Sequence, residues 1–286
     1  YSALGGQTLN PYGRKIFDSG GSSSGSGVAI SANFSSVSLG SETSGSILSP
    51  SSANSIVGLK PTIGLVSRSG IVPISSTLDT SGPMTKNVID NAIVLKAISG
   101  FDQNDSMSVD NVDIDLESIV NSSLKGKRFG VFNEFLNDSL YLNAVNKIEK
   151  LGGIIIKFNP PQVDFNGFRK ILDYDMKNDL PIYFKNNNIS FKSVEDIVEF
   201  NKEDSLNRAP YGQGIFESII SDSTKFEEIS SIKTRIKTEG KKYFNTAIKK
   251  HKLDAIISIN NYHAGYAAGA YYPCLTIPML SLIHIS

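Results

Sequence analysis

The sequence predicts an α/β fold, and three observations carry that prediction. Residues 128–158 read as strand, helix and strand; apolar residues recur at helical spacing over several longer segments; and 286 residues are enough to bury a sizeable core. Composition is that of an ordinary globular enzyme, 40% hydrophobic and 20% charged, with 28 basic residues balancing 28 acidic ones. Because the lysines are interleaved with acids, no basic stripe is left for nucleic acid or an anionic membrane, and no apolar run reaches the length of a membrane-spanning helix. A single cysteine, Cys274, excludes an intramolecular disulfide and a cysteine-based zinc site. It fits a reducing compartment and leaves export open.

In chain order, the first third is rich in Gly and Ser and broken by turn signals, and after Asp102 the chain becomes rich in Asn, Lys and Ile. Val28 to Ala32 reads as a helix entered from a glycine-rich turn, Val37 to Leu39 as a short strand, and Asn87 to Ile98 as a helix. Arg128 to Phe132 and Ile154 to Phe158 read as strands flanking a helix from Leu140 to Leu151 that Gly152 and Gly153 close, the order of a parallel pair covered by a helix. Phe165 to Phe184 reads as a long amphipathic helix in which Pro181 is expected to break or kink the path. Ser193 to Asp196 offers a capping pattern; Ser230 to His251 is a lysine-rich helical stretch, weakened by Gly240, with a solvated charged face; and Asp254 to Ile259 reads as a buried strand.

Chemistry is concentrated in Gly20-Gly21-Ser22-Ser23-Ser24-Gly25-Ser26-Gly27 and Gly40-Ser41-Glu42-Thr43-Ser44-Gly45-Ser46-Ile47-Leu48-Ser49-Pro50. Alone, the first segment reads as a flexible linker, but a linker does not run directly into an apolar helix and a strand. A phosphate cradle is the second alternative; it lacks the lysine expected after the glycines and the Rossmann spacing.

Taken together, the two segments resemble the signature of the amidase signature family, and within it the bacterial peptide amidase type. Ser2 to Tyr12 resembles the family's lead-in, Val57 to Arg68 its following motif, and Ile71 to Ile74 with Asp79 to Met84 extend an almost continuous match to Asp102. Looser landmarks follow in order at Lys125 to Val131, Tyr211 to Gln213 and Tyr272 to Pro278. The resemblance implies an α/β/α sandwich around a large mixed sheet, incomplete here, as a single domain over residues 1–279 with a signature core at 1–102 and peripheral helices and strands at 103–279.

By motif position Ser46 matches the family's nucleophile and Ser22 its bridging serine, which follows a cis peptide bond. The backbone N–H groups of Thr43, Ser44, Gly45 and Ser46 match the oxyanion hole, and Gly20, Gly21 and Gly25 shape the loop. A serine hydroxyl attacks poorly until a base takes its proton. In this family that base is a neutral lysine relayed through the bridging serine, and no position here matches it. Lys60 matches a family lysine outside the triad, Lys15 lies on the lead-in loop, and the catalytic lysine is expected upstream of Tyr1. Among the histidines, His251 lies in a charged run, while His263 has the better position for a binding-site residue and keeps a Ser-His arrangement open.

The implied activity is hydrolysis of a carboxamide, on a small-molecule or peptide amide, with no metal or organic cofactor and no prediction of oligomeric state. The alternatives are a transamidase subunit that delivers ammonia to misacylated tRNA and a non-catalytic protein on a decayed amidase fold. Departures from the pattern are Ser44 where peptide amidases carry an acid, Leu48 at a position often polar, and Ser258-Ile259-Asn260 in place of the usual small-Pro-Thr strand end; these put the substrate pocket in question. Leu280 to Ser286 resembles a translated sequencing adapter and is expected not to belong to the natural protein.

Overall fold

The computed structural model describes residues 2–110 and 112–279; the suspected adapter, His284 included, lies outside the described residues. The signature region contains α1 (Ser24–Ser31), β1 (Val37–Glu42), α2 (Leu48–Ala53), β2 (Val57–Lys60), β3 (Thr80–Thr85) and α3 (Val88–Ile98). Beyond it follow α4 (Leu116–Val120), β4 (Arg128–Phe132), α5 (Ser139–Lys150), β5 (Ile154–Phe158), α6 (Phe168–Asn186), α7 (Val194–Lys202), α8 (Ser205–Arg208), α9 (Gly214–Ser221), α10 (Phe226–His251), β6 (Ala255–Ile257), α11 (Ala264–Ala270) and β7 (Cys274–Thr276).

Parallel and antiparallel pairing are both present, distributed over two sheets among the described residues, ordered β1-β3-β2-β7 and β5-β4-β6. The first is antiparallel, with Gly40 opposite Gly82 and Gly58 opposite Thr276. β7 thus lies beside the signature motifs, so the region after 102 supplies a strand to the core sheet. The second sheet is parallel: β4 pairs with β5 from Arg128↔Ile154 and with β6 from Phe129↔Ala255.

Helix ends follow local chemistry. Asn87 accepts the amide of Asp90 at 2.8 Å, Asp138 that of Tyr141 at 2.8 Å and Ser193 that of Asp196 at 3.4 Å, each satisfying a donor that has no partner within its helix. Four expectations change. α6 is not broken at Pro181, because Leu180 and Phe184 on either side are buried against Val194 and Ile219, and this packing holds the helix together where the proline removes a hydrogen bond. Gly240 is a contact rather than a weakness: a Cβ there would stand 2.7 Å from the amide nitrogen of Ala270, so its absence lets α11 lie directly on α10. The charged face of α10 is not wholly solvated, since Lys233 Nζ reaches the buried Asp175 carboxylate at 2.5 Å. β6 is shorter than expected and is an exposed-to-intermediate edge strand, because β4 covers it on one side only.

Candidate active site

The two serine segments meet at the end of the antiparallel sheet. Ser22 is exposed and stands two residues before α1, and the Gly21–Ser22 peptide is cis. Ser46 is half-buried in the turn between β1 and α2. They are joined through Ser23: its amide donates to the Ser46 carbonyl at 3.0 Å, its Oγ donates to the Ser41 carbonyl at 3.1 Å, and it accepts the Ser41 amide at 3.2 Å. Three hydrogen bonds from one residue therefore hold the two loops in register.

Gly20 is required where it stands. Its φ of +66° is left-handed, and a Cβ would lie 2.7 Å from the backbone of Pro50. Gly21 and Gly25 carry no such demand: the space around a Cβ is open at Gly25, and at Gly21 the nearest atom, Ser24 Oγ, is 3.9 Å away. Of the three glycines expected to shape the loop, the backbone calls for Gly20 alone. Gly45, with φ of +109°, has Asn261 Nδ2 at 2.9 Å from the position a Cβ would take, so the turn before α11 rests on the signature loop.

The loop around Ser46 is tied from beneath by two acids to which motif position assigns no role. Glu42 is 1% exposed, and its Oε2 accepts the amides of Ile47 at 2.7 Å and Leu48 at 3.0 Å. The carboxylate thus bridges the ends of a six-residue span, Glu42 to Ile47, whose middle carries Thr43, Ser44, Gly45 and Ser46. Thr43 Oγ1 donates to Asp79 Oδ1 at 2.5 Å, while Asp79 Oδ2 accepts the amides of Ile74 at 2.9 Å and Ser75 at 2.8 Å. Burial raises the Asp79 pKa, and the three hydrogen bonds oppose that shift. With Thr43 on one side and Ile47 and Leu48 on the other held, the backbone N–H groups of Ser44, Gly45 and Ser46 are left without an acceptor among the described residues.

Neither Lys60 nor His263 hydrogen-bonds to Ser22 or Ser46 among the described residues. Lys60 is fully buried, donates from Nζ to the Tyr272 carbonyl at 3.0 Å, and has its pKa lowered by burial against the opposing fields of Cys274 and Glu42. Burial pushes the Cys274 thiol up to about 11, so it stays protonated near neutral pH. His263 turns to Ser258, with Nδ1 2.6 Å from Oγ. Lys15 is exposed at a φ of 62° on the lead-in loop. No group of His, Cys, Asp and Glu able to hold a metal occurs among the described residues, and no described helix is long and apolar enough to cross a membrane.

This arrangement can be compared with known proteins. The chain is 33% identical to the Arabidopsis thaliana protein named "Probable amidase" over 97% of its own length and 57% of that relative. It is 42% identical to one subunit of the Staphylococcus aureus glutamyl-tRNA(Gln) amidotransferase, over 56% of this chain and 34% of that one. It thus spans between about one third and three fifths of these curated relatives. Among solved structures, the native peptide amidase of Stenotrophomonas maltophilia superposes with a TM-score of 0.89 at 32% identity, covering 99% of this chain and 63% of that one. An amidase family protein from Bacillus anthracis gives 0.87 at 33%, covering 98% and 57%. The family model named Amidase matches residues 1–262, and with the fold and these relatives in agreement the chain belongs to the amidase signature family.

Proposed function

We propose that the protein of which this chain is part hydrolyses a carboxamide, with Ser46 as nucleophile and Ser22 as the hydroxyl that takes its proton. Ser46 Oγ attacks the amide carbon, its proton passes to Ser22 and on to a lysine base that no position of this chain matches, and the amine leaves with a proton. Water then releases the acid from Ser46. The backbone N–H groups of Thr43, Ser44, Gly45 and Ser46 face the developing oxyanion, an interaction that typically contributes a few kcal/mol in acyl transfer. The observation that carries this reading is the Ser23 clamp, a 3.0 Å amide-to-carbonyl bond that keeps the Ser22 loop beside Ser46.

The substrate class we favour is a peptide or small-molecule amide, supported by a structural likeness to peptide amidase that extends over 99% of the chain. A transamidase subunit is the second reading, favoured by the 42% identity to the amidotransferase subunit over 166 residues. Ammonia release from peptide C-terminal amides, aliphatic amides, aryl amides and glutamine, measured on the protein expressed with its flanking coding sequence, separates the two. Ser46→Ala is expected to lower kcat by at least about 1,000-fold on the accepted substrate; unchanged turnover in that variant sinks the assignment. The chain by itself is expected to show no amide turnover, since no lysine of it matches the family's base and Lys60, which matches a family lysine outside the triad, donates to the Tyr272 carbonyl.

A further inference from the structure

A second serine, outside the signature motifs in sequence, is set up for nucleophilic chemistry. Ser258 follows β6 directly, Glu134 follows β4 in a 3-10 turn, and β4 and β6 are neighbouring parallel strands, so both side chains emerge at the same carboxyl-terminal edge of the sheet. His263, on the turn that leads into α11, lies between them: Nδ1 is 2.6 Å from Ser258 Oγ and Nε2 is 3.6 Å from Glu134 Oε1. The imidazole is fixed in plane. It stacks on Phe132 with centroids 4.1 Å apart and an interplanar angle of 12°, and the rings of Phe135, Tyr243 and Tyr266 surround it at 5.5, 5.8 and 6.2 Å.

Charge and exposure match this geometry. The His263 side chain is 10% exposed, and burial lowers its pKa, so near neutral pH the ring is uncharged and Nδ1 can accept a proton. With Nδ1 accepting from Ser258, the ring proton sits on Nε2, toward the Glu134 carboxylate, which stabilises the imidazolium once it forms. Ser258 itself is exposed and open to a reagent. Base, hydroxyl and carboxylate occur in the order of a Ser-His-Glu constellation with the two ring nitrogens exchanged, and such constellations are recognised by geometry rather than by sequence order.

We propose that Ser258 is a second reactive serine, activated by His263 and supported by Glu134, that accepts acyl or phosphonyl groups from donors with good leaving groups such as aryl esters and fluorophosphonates. In the ester reaction the Ser258 Oγ–carbon bond forms and the carbon–aryloxide bond breaks, while the serine proton moves to His263 Nδ1 and then to the departing aryloxide. Water, giving its proton to the same nitrogen, hydrolyses the acyl-serine and restores Ser258. The overall change is one ester and one water to one acid and one phenol; with a fluorophosphonate the Ser258 Oγ–phosphorus bond forms, the phosphorus–fluorine bond breaks, and the serine proton passes by way of His263 to the departing fluoride. No part of this step uses Ser46 or Ser22, so it stands or falls separately from the amidase reading.

The test is adduct mapping on this chain with an alkyl fluorophosphonate, followed by digestion and mass spectrometry. The unsubstituted protein and Ser46→Ala are both expected to carry the adduct on Ser258, and Ser258→Ala to carry none on that peptide. General-base activation contributes about 100-fold or more, so His263→Gln, checked by circular dichroism for an intact fold, is expected to slow labelling of Ser258 by that factor. Glu134→Gln, which leaves hydroxyl and base in contact, is expected to slow it less. An unlabelled Ser258 in the unsubstituted protein, under conditions that label a control serine hydrolase, overturns the proposal without reference to any variant. Labelling of Ser258 at an equal rate in a folded His263→Gln protein overturns it as well.

Discussion

Around the two serine loops the chain packs backbone against backbone, whereas around β4 and α10 it packs rings against rings. In the first region the close approaches involve glycines: a Cβ on Gly82 would collide with the Leu59 carbonyl oxygen, one on Gly58 with Ser51 Oγ, and one on Gly20 would lie 2.7 Å from Pro50. In the second, Phe132, Phe158, Tyr243 and Phe244 make one buried cluster, with Phe132 and Phe158 centroids 4.8 Å apart and Tyr243 stacked on Tyr266 at 4.3 Å. Small residues let hydrogen-bonding groups be positioned by the main chain itself, which suits the proposed use of this loop as a set of N–H donors. Large rings fill volume and hold helices to a sheet. Tolerance to substitution therefore differs in kind between the regions: addition of atoms harms the first, and removal of atoms harms the second.

Two large effects are expected, the first at Gly82→Ala. The added methyl meets the Leu59 carbonyl oxygen, and Pro61 Cδ lies only 2.8 Å from it, so the only relief is for β3 to move away from β2. Overpacking costs about 1–3 kcal/mol where side chains can yield, and here backbone must yield, so the loss is expected at or above the upper end of that range. Urea denaturation followed by circular dichroism reads it; a midpoint equal to that of the unsubstituted chain would break the comparison from the backbone side.

Next comes Phe132→Ala, which removes a fully buried ring from the aromatic cluster and from the face of His263. Deleting such a ring costs about 3–5 kcal/mol. Phe132→Leu refills most of the volume and is expected to recover more than half of the loss in the same denaturation series. Equal damage from both variants would show that ring stacking, rather than filled volume, holds the second region.

These two regions are legible in the sequence to different degrees, for a physical reason. β4, β5 and α5 carry regular apolar periods, and their expected bounds agree with the observed ones to within a residue. β2, β3 and β7 escape such a reading, because Val57 to Lys60 and Thr80 to Thr85 mix Gly, Pro and Lys into strands whose pairing is long-range. Lys60 shows why: a fully buried lysine contradicts any pattern of exposed charge, and only the distant Tyr272 carbonyl explains it. At the candidate site, the resemblance of the two motifs to the family is what names Ser22 and Ser46 as candidates. The supports at Glu42 and Asp79 depend on five- and 36-residue separations that no local period encodes.

Asp79 sharpens the comparison through pH, because it ties the backbone-packed loop to the peripheral helices: Thr43 and the amide of Ser75 bond to Asp79, while the Ser75 hydroxyl bonds to Asp175 on α6 at 2.5 Å. Burial raises the Asp79 pKa above the ordinary 3.8, so the protonated folded state is favoured. Its contribution to stability is fully present below 3.8 and is lost as pH rises through the raised folded value, a negative slope in that window. Asp79→Asn keeps an oxygen for the Ile74 and Ser75 amides and offers an N–H to Thr43, so the fold is expected to survive while the Asp79 part of the slope is lost; Asp179, raised by burial, and Asp102, Asp105, Asp254 and His263, all lowered, keep their own contributions in both proteins. Asp79→Ala instead strands two amides and a hydroxyl and is expected to cost about 2–4 kcal/mol, at roughly 1–3 kcal/mol per unsatisfied group with partial relaxation. Stability measured from pH 3 to 7 in the three proteins checks this, and an unaltered slope in Asp79→Asn would remove Asp79 from the account.

The smallest effect is at Gly240→Ala, and its sign is what matters. On an exposed helix this change stabilises by about 1 kcal/mol, because alanine loses less backbone freedom on folding. Here the new Cβ would stand 2.7 Å from the Ala270 nitrogen and 3.0 Å from the Gly269 carbonyl carbon, so α11 must shift away from α10. α11 begins at Ala264, whose Cβ stands 3.5 Å from the position of a Cβ on Gly45, and that places the displaced helix against the signature loop. A net loss of about 1–2 kcal/mol is therefore expected in denaturation, the overpacking cost exceeding the gain in propensity. A net gain would mean that the α10–α11 contact yields freely, and that close backbone approach controls tolerance only within the serine-bearing sheet.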